Sequence, residues 1–298
     1  MRQITCPVCS VPPQSIPSAP SRVRCNSCQV DWTYLPEDTN IEALYRDEVY
    51  EVIDNRRSIF EKIIFYEAKK ILKKAKKLNP TGKYLLDFGS GKGQFLAVAK
   101  ELEWIGKGIE TEKARADYAR EKYQVDVDCR YFENGKITER QVDLITLNHV
   151  LEHLPQPMPL LDELLQSNLD QSGILYIEVP RSDSWQAKIA GSDWMHWDIP
   201  KHLTHWSETH LRDQLEKLGF QLIAKRSFSI HLGVLGMLQS LLTRLGFKEN
   251  LIVRLKKKKT IGLIVLIGLI LPFAFILEAV SLVFDKSGIL GLYFRRVS

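Results

Sequence analysis

Tyr84-Leu85-Leu86-Asp87-Phe88-Gly89-Ser90-Gly91-Lys92-Gly93-Gln94-Phe95-Leu96 decides the fold. A short apolar run ends in an acid, three glycines follow at alternate positions, and an apolar-periodic run begins. That order reads as strand, tight turn, helix. Glycines admit positive φ and let a ligand approach the main chain. The helix start presents N–H groups with no partner inside the helix. Downstream, Trp104-Ile105-Gly106-Lys107-Gly108-Ile109-Glu110 reads as a second strand ending in an acid. An acid about 20 residues past such glycines suits the hydroxyls of a ribose.

The glycine pattern is G-x-G-x-G rather than G-x-G-x-x-G. Asp87 also sits two residues before the first glycine, where its charge would meet a pyrophosphate. Both features count against a nicotinamide cofactor and suit a cationic or zwitterionic ligand. The stretch resembles motif I of class I S-adenosylmethionine (SAM) methyltransferases, with Glu110 matching the acid that ends their second strand. The resemblance implies SAM binding by Asp87, Gly89, Ser90, Gly91, Gly93, Glu110 and Asn148, and methyl transfer from a sulfonium to a nucleophile.

Outward from this stretch the alternation continues. Val125-Asp126-Val127 and Val142 to Leu147 read as a third and fourth strand, Lys113 to Tyr123 and Met158 to Asn168 as helices, and Gly173 to Val179 as a fifth strand. Phe220 to Phe228 is a sixth and Ile289 to Val297 a seventh. The expected fold is α/β: a Rossmann-like seven-stranded sheet with helices on both faces. By the resemblance, the last strand inserts antiparallel beside the sixth. The fourth strand delivers Asn148-His149-Val150-Leu151-Glu152-His153-Leu154 to the carboxyl edge, where open α/β sheets bind ligands. His149, Glu152 and His153 share one face of a helical turn. Ubiquinone-biosynthesis O-methyltransferases show a similar acid-rich cluster, although His149 stands where that pattern has an acid. A metal, a substrate contact and structural hydrogen bonding remain open readings.

Cys6-x-x-Cys9 and Cys25-x-x-Cys28, with fifteen residues between the pairs, have the spacing of a zinc ribbon. Four thiolates leave no open position on the ion, so this zinc is structural. Residues 1–20 hold Cys, Ser and several prolines rather than an apolar run, so no secretory signal is expected. A reducing compartment favours metal over disulfides. Cys129 has no partner pair.

The composition is 45% apolar with a net charge of +5, enough for a core and too mild to dictate a partner. Arg56 to Leu78 reads as an amphipathic helix. Its second half carries Lys69, Lys70, Lys73, Lys74, Lys76 and Lys77, either a solvated face or a surface for anionic lipid or nucleic acid.

Between the fifth and sixth strands, residues 180–207 hold four Trp and three His. Pro200-Lys201-His202-Leu203-Thr204-His205-Trp206-Ser207 resembles the P-R-H-L-x-H-F-S signature of methyltransferases in sugar and glycolipid pathways. Trp faces stack on sugar rings or pack as a lid. A histidine removes a hydroxyl proton near neutral pH. His202, then His205 and His153, are the expected catalytic bases. Ser207 suits the N-cap of a helix from Glu208 to Leu218.

About sixty residues separate the sixth and seventh strands. They comprise an apolar helix, Leu232 to Phe247, then Lys256 to Lys259, then Ile261 to Phe284, which is uncharged from Ile261 to Leu277 and interrupted by Pro272. A membrane span needs about 20 apolar residues. A single span would strand the last strand on the far side, so the expectation is a peripheral or monotopic insert on the inner membrane of a cytoplasmic enzyme; a true span, and a soluble dimer interface or hydrophobic lid, are the other readings. The expected organisation is a zinc ribbon over 1–36, a linker and basic helix over 37–80, the SAM-binding core over 81–228, the apolar insert over 229–288 and a last core strand over 289–298. The expected acceptor is a hydroxyl or carbon of a sugar, glycan or lipid-linked saccharide. An RNA methyltransferase using the ribbon and lysine face, or a non-catalytic SAM-binding scaffold, are the other readings. The fourth strand lacks the N-P-P-Y-like turn of amino-methylating nucleic-acid enzymes. Oligomeric state is not legible.

Overall fold

The computed structural model describes residues 3–36, 39, 54, 56, 58–257 and 260–297. Along the chain run β1 (Ser21–Arg24), β2 (Asp31–Tyr34), α1 (Ile59–Leu78), β3 (Tyr84–Phe88), α2 (Gln94–Glu101), β4 (Ile105–Glu110), α3 (Lys113–Tyr118), β5 (Asp126–Cys129), β6 (Val142–Asn148), α4 (Pro157–Asn168) and β7 (Leu169–Pro180). There follow α5 (Trp185–Ala190), β8 (Thr204–His205), α6 (Glu208–Lys217), β9 (Phe220–Arg226), α7 (Leu235–Arg244), α8 (Leu251–Lys257), α9 (Ile261–Val283) and β10 (Ile289–Arg296). The chain forms two compact units. One comprises Val52–Val179, Leu211–Arg226 and Gly291–Ser298; the other comprises Met1–Glu51, Pro180–His210 and Ser227–Leu290.

The first unit is built on a seven-stranded sheet of order β5-β4-β3-β6-β7-β10-β9. Strands β5, β4, β3, β6 and β7 pair in parallel, and β10 runs antiparallel to β9, from Gly291 opposite Arg226 to Arg296 opposite Phe220. Sequential strands fan out to opposite sides of β3, which puts the topological switch between β3 and β6. Ligands of open α/β sheets bind there, outside the carboxyl ends. The parallel strands read as apolar runs because both faces are covered: Leu85, Leu86, Leu144, Ile145 and Ile177 are buried.

Helix α1 begins at Ile59 because the Ser58 hydroxyl accepts from the Glu61 N–H at 3.0 Å. The expected start at Arg56 is three residues early, and Arg57 lies outside the described residues. Ala68, Ile71, Leu72 and Ala75 form its buried stripe. Strand β10 fastens the helix down: the Tyr293 hydroxyl donates to Ile71 O at 3.1 Å, and Arg295 caps its last turn through Leu78 O at 2.6 Å.

In the second unit, β1, β2 and β8 form a small antiparallel sheet, with Asp31 opposite His205 and Trp32 opposite Thr204. Its apolar half packs Met237, Leu238, Leu242, Leu251, Leu263 and Ala274 from α7, α8 and α9. Helix α9 runs unbroken through Pro272. Glu278 anchors it. Its carboxylate accepts from Gln186 Nε2 at 2.7 Å and from Gly288 N at 2.8 Å. Ile264, Val265, Leu269, Phe273, Ile276 and Val283 are exposed along the helix. Lys258, Lys259 and the side chains of Lys256 and Lys257 lie outside the described residues. The expected segments 1–36 and 229–288 fall together in this unit.

Candidate active site

The turn after β3 is shaped by its glycines. Gly89, Gly91 and Gly93 have φ of 76°, 53° and 78°, a region that costs any residue with a Cβ. At Gly89 a Cβ would collide with Val150. At Gly93 it would lie 2.6 Å from the Ala119 Cβ. At Gly91 it would meet nothing within 4 Å, so open space lies against the main chain at the centre of the turn. Ser90 Oγ and Gln94 Nε2 are buried polar atoms without a hydrogen-bond partner among the described residues. Buried polar groups are nearly always paired, so these two suit the polar end of a ligand.

Asp87 and Glu110 play different parts. Asp87 is buried and accepts from Thr146 Oγ1 at 2.6 Å and Asn148 Nδ2 at 3.3 Å. It thereby ties β3 to β6 beneath the turn, and Asn148 supports it. Burial raises its pKa to about 6 against the pull of those two donors. Glu110 Oε2 accepts from Gly91 N at 2.8 Å, and its Oε1 accepts from Thr111 N at 2.8 Å and Glu112 N at 3.0 Å. Oε1 is filled by those two donors, while Oε2 has a second lone pair, so Glu110 both holds the glycine turn and retains capacity at Oε2 for a ribose hydroxyl.

At the end of β6, His149 has φ 55°. Its N–H donates to Glu178 O at 2.9 Å. The ring lies between two carboxylates, with Nδ1 3.4 Å from Glu152 and Nε2 3.4 Å from Glu178. Burial alone would lower its pKa, but the two acids outweigh that and raise it to about 9. Glu178 in turn pairs with Arg226 and accepts from the Tyr176 hydroxyl. Arg226 reaches Glu67 at 3.5 Å. Burial would raise the Glu178 carboxyl, yet Arg226 holds it well below the usual range. Charges therefore alternate from Glu67 through Arg226, Glu178 and His149 to Glu152. The expected set of His149, Glu152 and His153 omits Glu178, the partner on the neighbouring strand. The available signal was one acid inside the apolar run Ile174–Val179.

Among the remaining expected residues, His153 ends a 3₁₀ turn, Leu151–His153, in the sheet unit. His202 and His205 belong to the ribbon unit and are buried. His202 Nδ1 meets His196 O at 2.8 Å, and His205 Nε2 meets Thr33 Oγ1 at 3.0 Å. Trp194, Trp197 and Trp206 are 2%, 5% and 0% exposed, and Trp185 stacks on Phe284 with ring centroids 5.1 Å apart. Stacking of a sugar on Trp194, Trp197 or Trp206 is therefore corrected to packing: these rings build the loop. The Ser207 hydroxyl accepts from His210 N at 3.2 Å, as an N-cap does.

Cys6, Cys9, Cys25 and Cys28 bring their sulfurs within 4.8 Å of one another. Cys6 to Cys28 is 3.6 Å and Cys9 to Cys25 is 3.4 Å. A tetrahedral zinc with bonds of about 2.3 Å separates its sulfurs by about 3.8 Å, so the donor set is compatible with a zinc ribbon. Both knuckles close alike, with positive φ at Ser10 and Gln29. Cys129 is exposed and stands apart.

Residues 60–225, over half of the chain, match a family described as a methyltransferase domain. A search of the curated proteins found no match. Among solved structures, the plantazolicin methyltransferase BpumL in complex with SAH is similar at 13% identity and TM-score 0.52, over 88% of this chain and 92% of that one. A candidate sarcosine dimethylglycine methyltransferase from Galdieria sulphuraria is similar at 14% identity and TM-score 0.51, over 78% and 85%. Both likenesses concern the fold.

Proposed function

The chain belongs to the methyltransferase-domain family and is a SAM-dependent methyltransferase, and from that premise we propose that its acceptor is a hydroxyl or carbon of a sugar, glycan or lipid-linked saccharide at a membrane surface. When bound, SAM supplies a methyl group on a sulfonium, open to displacement by a nucleophile. The open space at Gly91 and the unpaired Ser90 Oγ and Gln94 Nε2 fit its zwitterionic end, and Glu110 fits its ribose. Gly89 and Gly93 shape the turn, and Asp87 with Asn148 braces it.

The observation that carries the acceptor reading is the 180–207 loop. Its His202 and His205 are buried and orientated by hydrogen bonds rather than loose on a surface. His202 is the first choice to take the acceptor's proton, because a backbone carbonyl occupies its Nδ1. Its Nε2 lies 4.0 Å from the Asp198 carboxylate, which favours uptake of a proton by the ring. His205 and His153 follow. Zinc at Cys6, Cys9, Cys25 and Cys28 is structural in this reading.

Two features support the membrane surface. The apolar window of α9 has mean hydropathy 2.7 and is only 17% buried, and lysines 256–259 precede it in sequence. Pairing of Gly291 with Arg226 brings both ends of the insert together, as a same-side return requires. A single crossing would separate them by about 30 Å of hydrocarbon. The experiment is to offer protein and methyl-labelled SAM to membranes and to RNA separately. Label in lipid-extractable saccharide is expected; label in RNA alone would refute the reading.

A further inference from the structure

Helix α1 has two acids, Glu61 and Glu67, and both are buried. Glu61 accepts from the Tyr123 hydroxyl, and Glu67 pairs with Arg226 at 3.5 Å. Its lysines point the other way. Lys62, Lys69, Lys70, Lys73, Lys74 and Lys77 are exposed, and among the described residues no carboxylate pairs with any of them. Lys76 alone is engaged by the body of the unit: its ammonium donates to Gly82 O and lies 4.9 Å above the Trp104 ring. Lys62, Tyr66, Lys69, Lys73 and Lys77 follow one another in steps of three and four. They form one stripe about 22 Å long, with Lys70 and Lys74 beside it. Tyr66 is exposed within the stripe, and Lys70 sits 4.4 Å over its ring. Ile59 is exposed at the amino end.

Such a face costs stability. Like charges four residues apart destabilise a helix, and Lys69 with Lys73, Lys70 with Lys74 and Lys73 with Lys77 are such pairs. A merely solvated face intersperses acids among its bases, and here both acids are turned inward. An anionic surface offsets the repulsion. The chemistry of the face favours a bilayer over RNA. All seven cations of α1 are lysines. A lysine is a point charge, whereas phosphates at fixed positions are gripped in pairs of hydrogen bonds by arginine. Bases are read by amide and hydroxyl groups and by free aromatic faces. The helix has no Asn, Gln, Ser or Thr, and Lys70 covers the Tyr66 ring. A row of point charges suits a fluid array of anionic headgroups. Tyr66, apolar in body and polar at its tip, suits the same boundary.

We propose that the lysine face of α1 is a docking surface for anionic phospholipid, a second membrane contact carried by the sheet unit itself. The exposed row of α9 supplies an apolar contact, and one apolar signal alone gives marginal, reversible attachment; a basic patch is the second signal that makes attachment stable. The choice of a bilayer over RNA leans on the membrane reading of α9. The preference of α1 for negative charge does not, and it is measured separately.

The test sediments full-length protein with vesicles of phosphatidylcholine and with vesicles of equal parts phosphatidylcholine and phosphatidylserine, at low and at high salt. Binding to the anionic vesicles is expected to be stronger by about a hundredfold or more at low salt, and salt is expected to shrink the difference. Replacing Lys69, Lys70, Lys73 and Lys74 with glutamine is expected to remove most of that preference, about fivefold for each lysine before screening. Binding to neutral vesicles and SAM affinity by calorimetry are expected to stay within about twofold, which shows that the fold is kept. Replacing the same four with arginine keeps the charge and is expected to keep the preference. Lys122, Lys136, Lys188 and Lys217 are also exposed; replacing them with glutamine lowers the net charge equally and is expected to leave the preference in place. Four results would overturn the proposal. They are equal binding to the two vesicles, a preference that survives the glutamines in α1, an equal loss from the second set of lysines, and loss of RNA binding by the α1 variant with vesicle binding unmoved. Failure of the α9 reading shows instead as no binding to neutral vesicles, and label transfer enters none of these.

Discussion

Glu110 carries three backbone N–H groups on its two oxygens, so its removal acts on the turn and on the ligand together. Glu110→Ala is expected to weaken SAM binding by about 1–3 kcal/mol in calorimetry; unchanged affinity would remove it from the site. His149 gives a pH test. Its folded pKa is raised from 6.5 to about 9, so the stabilisation is fully present below about pH 6.5 and is lost as pH rises through about 9. Wild type should exceed His149→Gln by about 2–3 kcal/mol at pH 6 in denaturant titrations. The gap should close by about pH 10; a constant gap would mean the ring is not charged in the fold. Of these residues, the glycines and Glu110 were legible because backbone strain and the strand-end acid are local signals. Glu178 and Thr33 were not. Their partners lie 29 and 169 residues away, and no periodicity reports a contact at that distance.

At the scale of elements, the βα alternation was legible because the central strands carry apolar runs, Leu85-Leu86, Leu144-Ile145 and Ile174–Ile177, and α1 is apolar on one stripe. Strand β8 was not, because two residues have no period. Helix α9 shows a different limit. Its sequence is apolar all round, and only packing reveals that one side carries Leu263, Ala274, Glu278 and Ser281 buried while the other carries the exposed row. Deleting the whole insert would also remove the wall against which Trp185 and Gln186 pack. Replacing Leu269, Phe273 and Ile276 with serine is the sharper experiment. The protein is expected to move from membrane to soluble fraction with SAM affinity unchanged; a triple variant that still pellets with membranes would reject α9 as the contact. For the ribbon, elemental analysis of the native protein is expected to give one equivalent of zinc and Cys25→Ser is expected to lose it; native protein without zinc would reject the site.

For the molecule as a whole, the seven-stranded sheet and its antiparallel strand were legible. The grouping of residues 180–210 with the ribbon and the insert was not, since it depends on Thr33, Arg181 and Gln186 finding distant partners. A reporter joined after Ser298 is expected to read cytoplasmic, because β10 must lie beside β9; a reporter on the far side would overturn that topology. The place of β10 also governs the order of folding. It lies between β7 and β9, yet about sixty residues separate it from β9 in sequence. Closing so long a connection is thermodynamically mild, about 0.6 kcal/mol for each doubling of length. In time it is slow, since non-local pairing must wait for the chain to meet itself. Until β10 arrives, β7 and β9 each present an unpaired edge, and the chain also carries the exposed apolar row of α9. A bare sheet edge beside a free apolar helix is the combination most prone to self-association. The hazard of this architecture thus lies in the interval before the last strand docks, and early seating of α9, on the body or on lipid, shortens that interval.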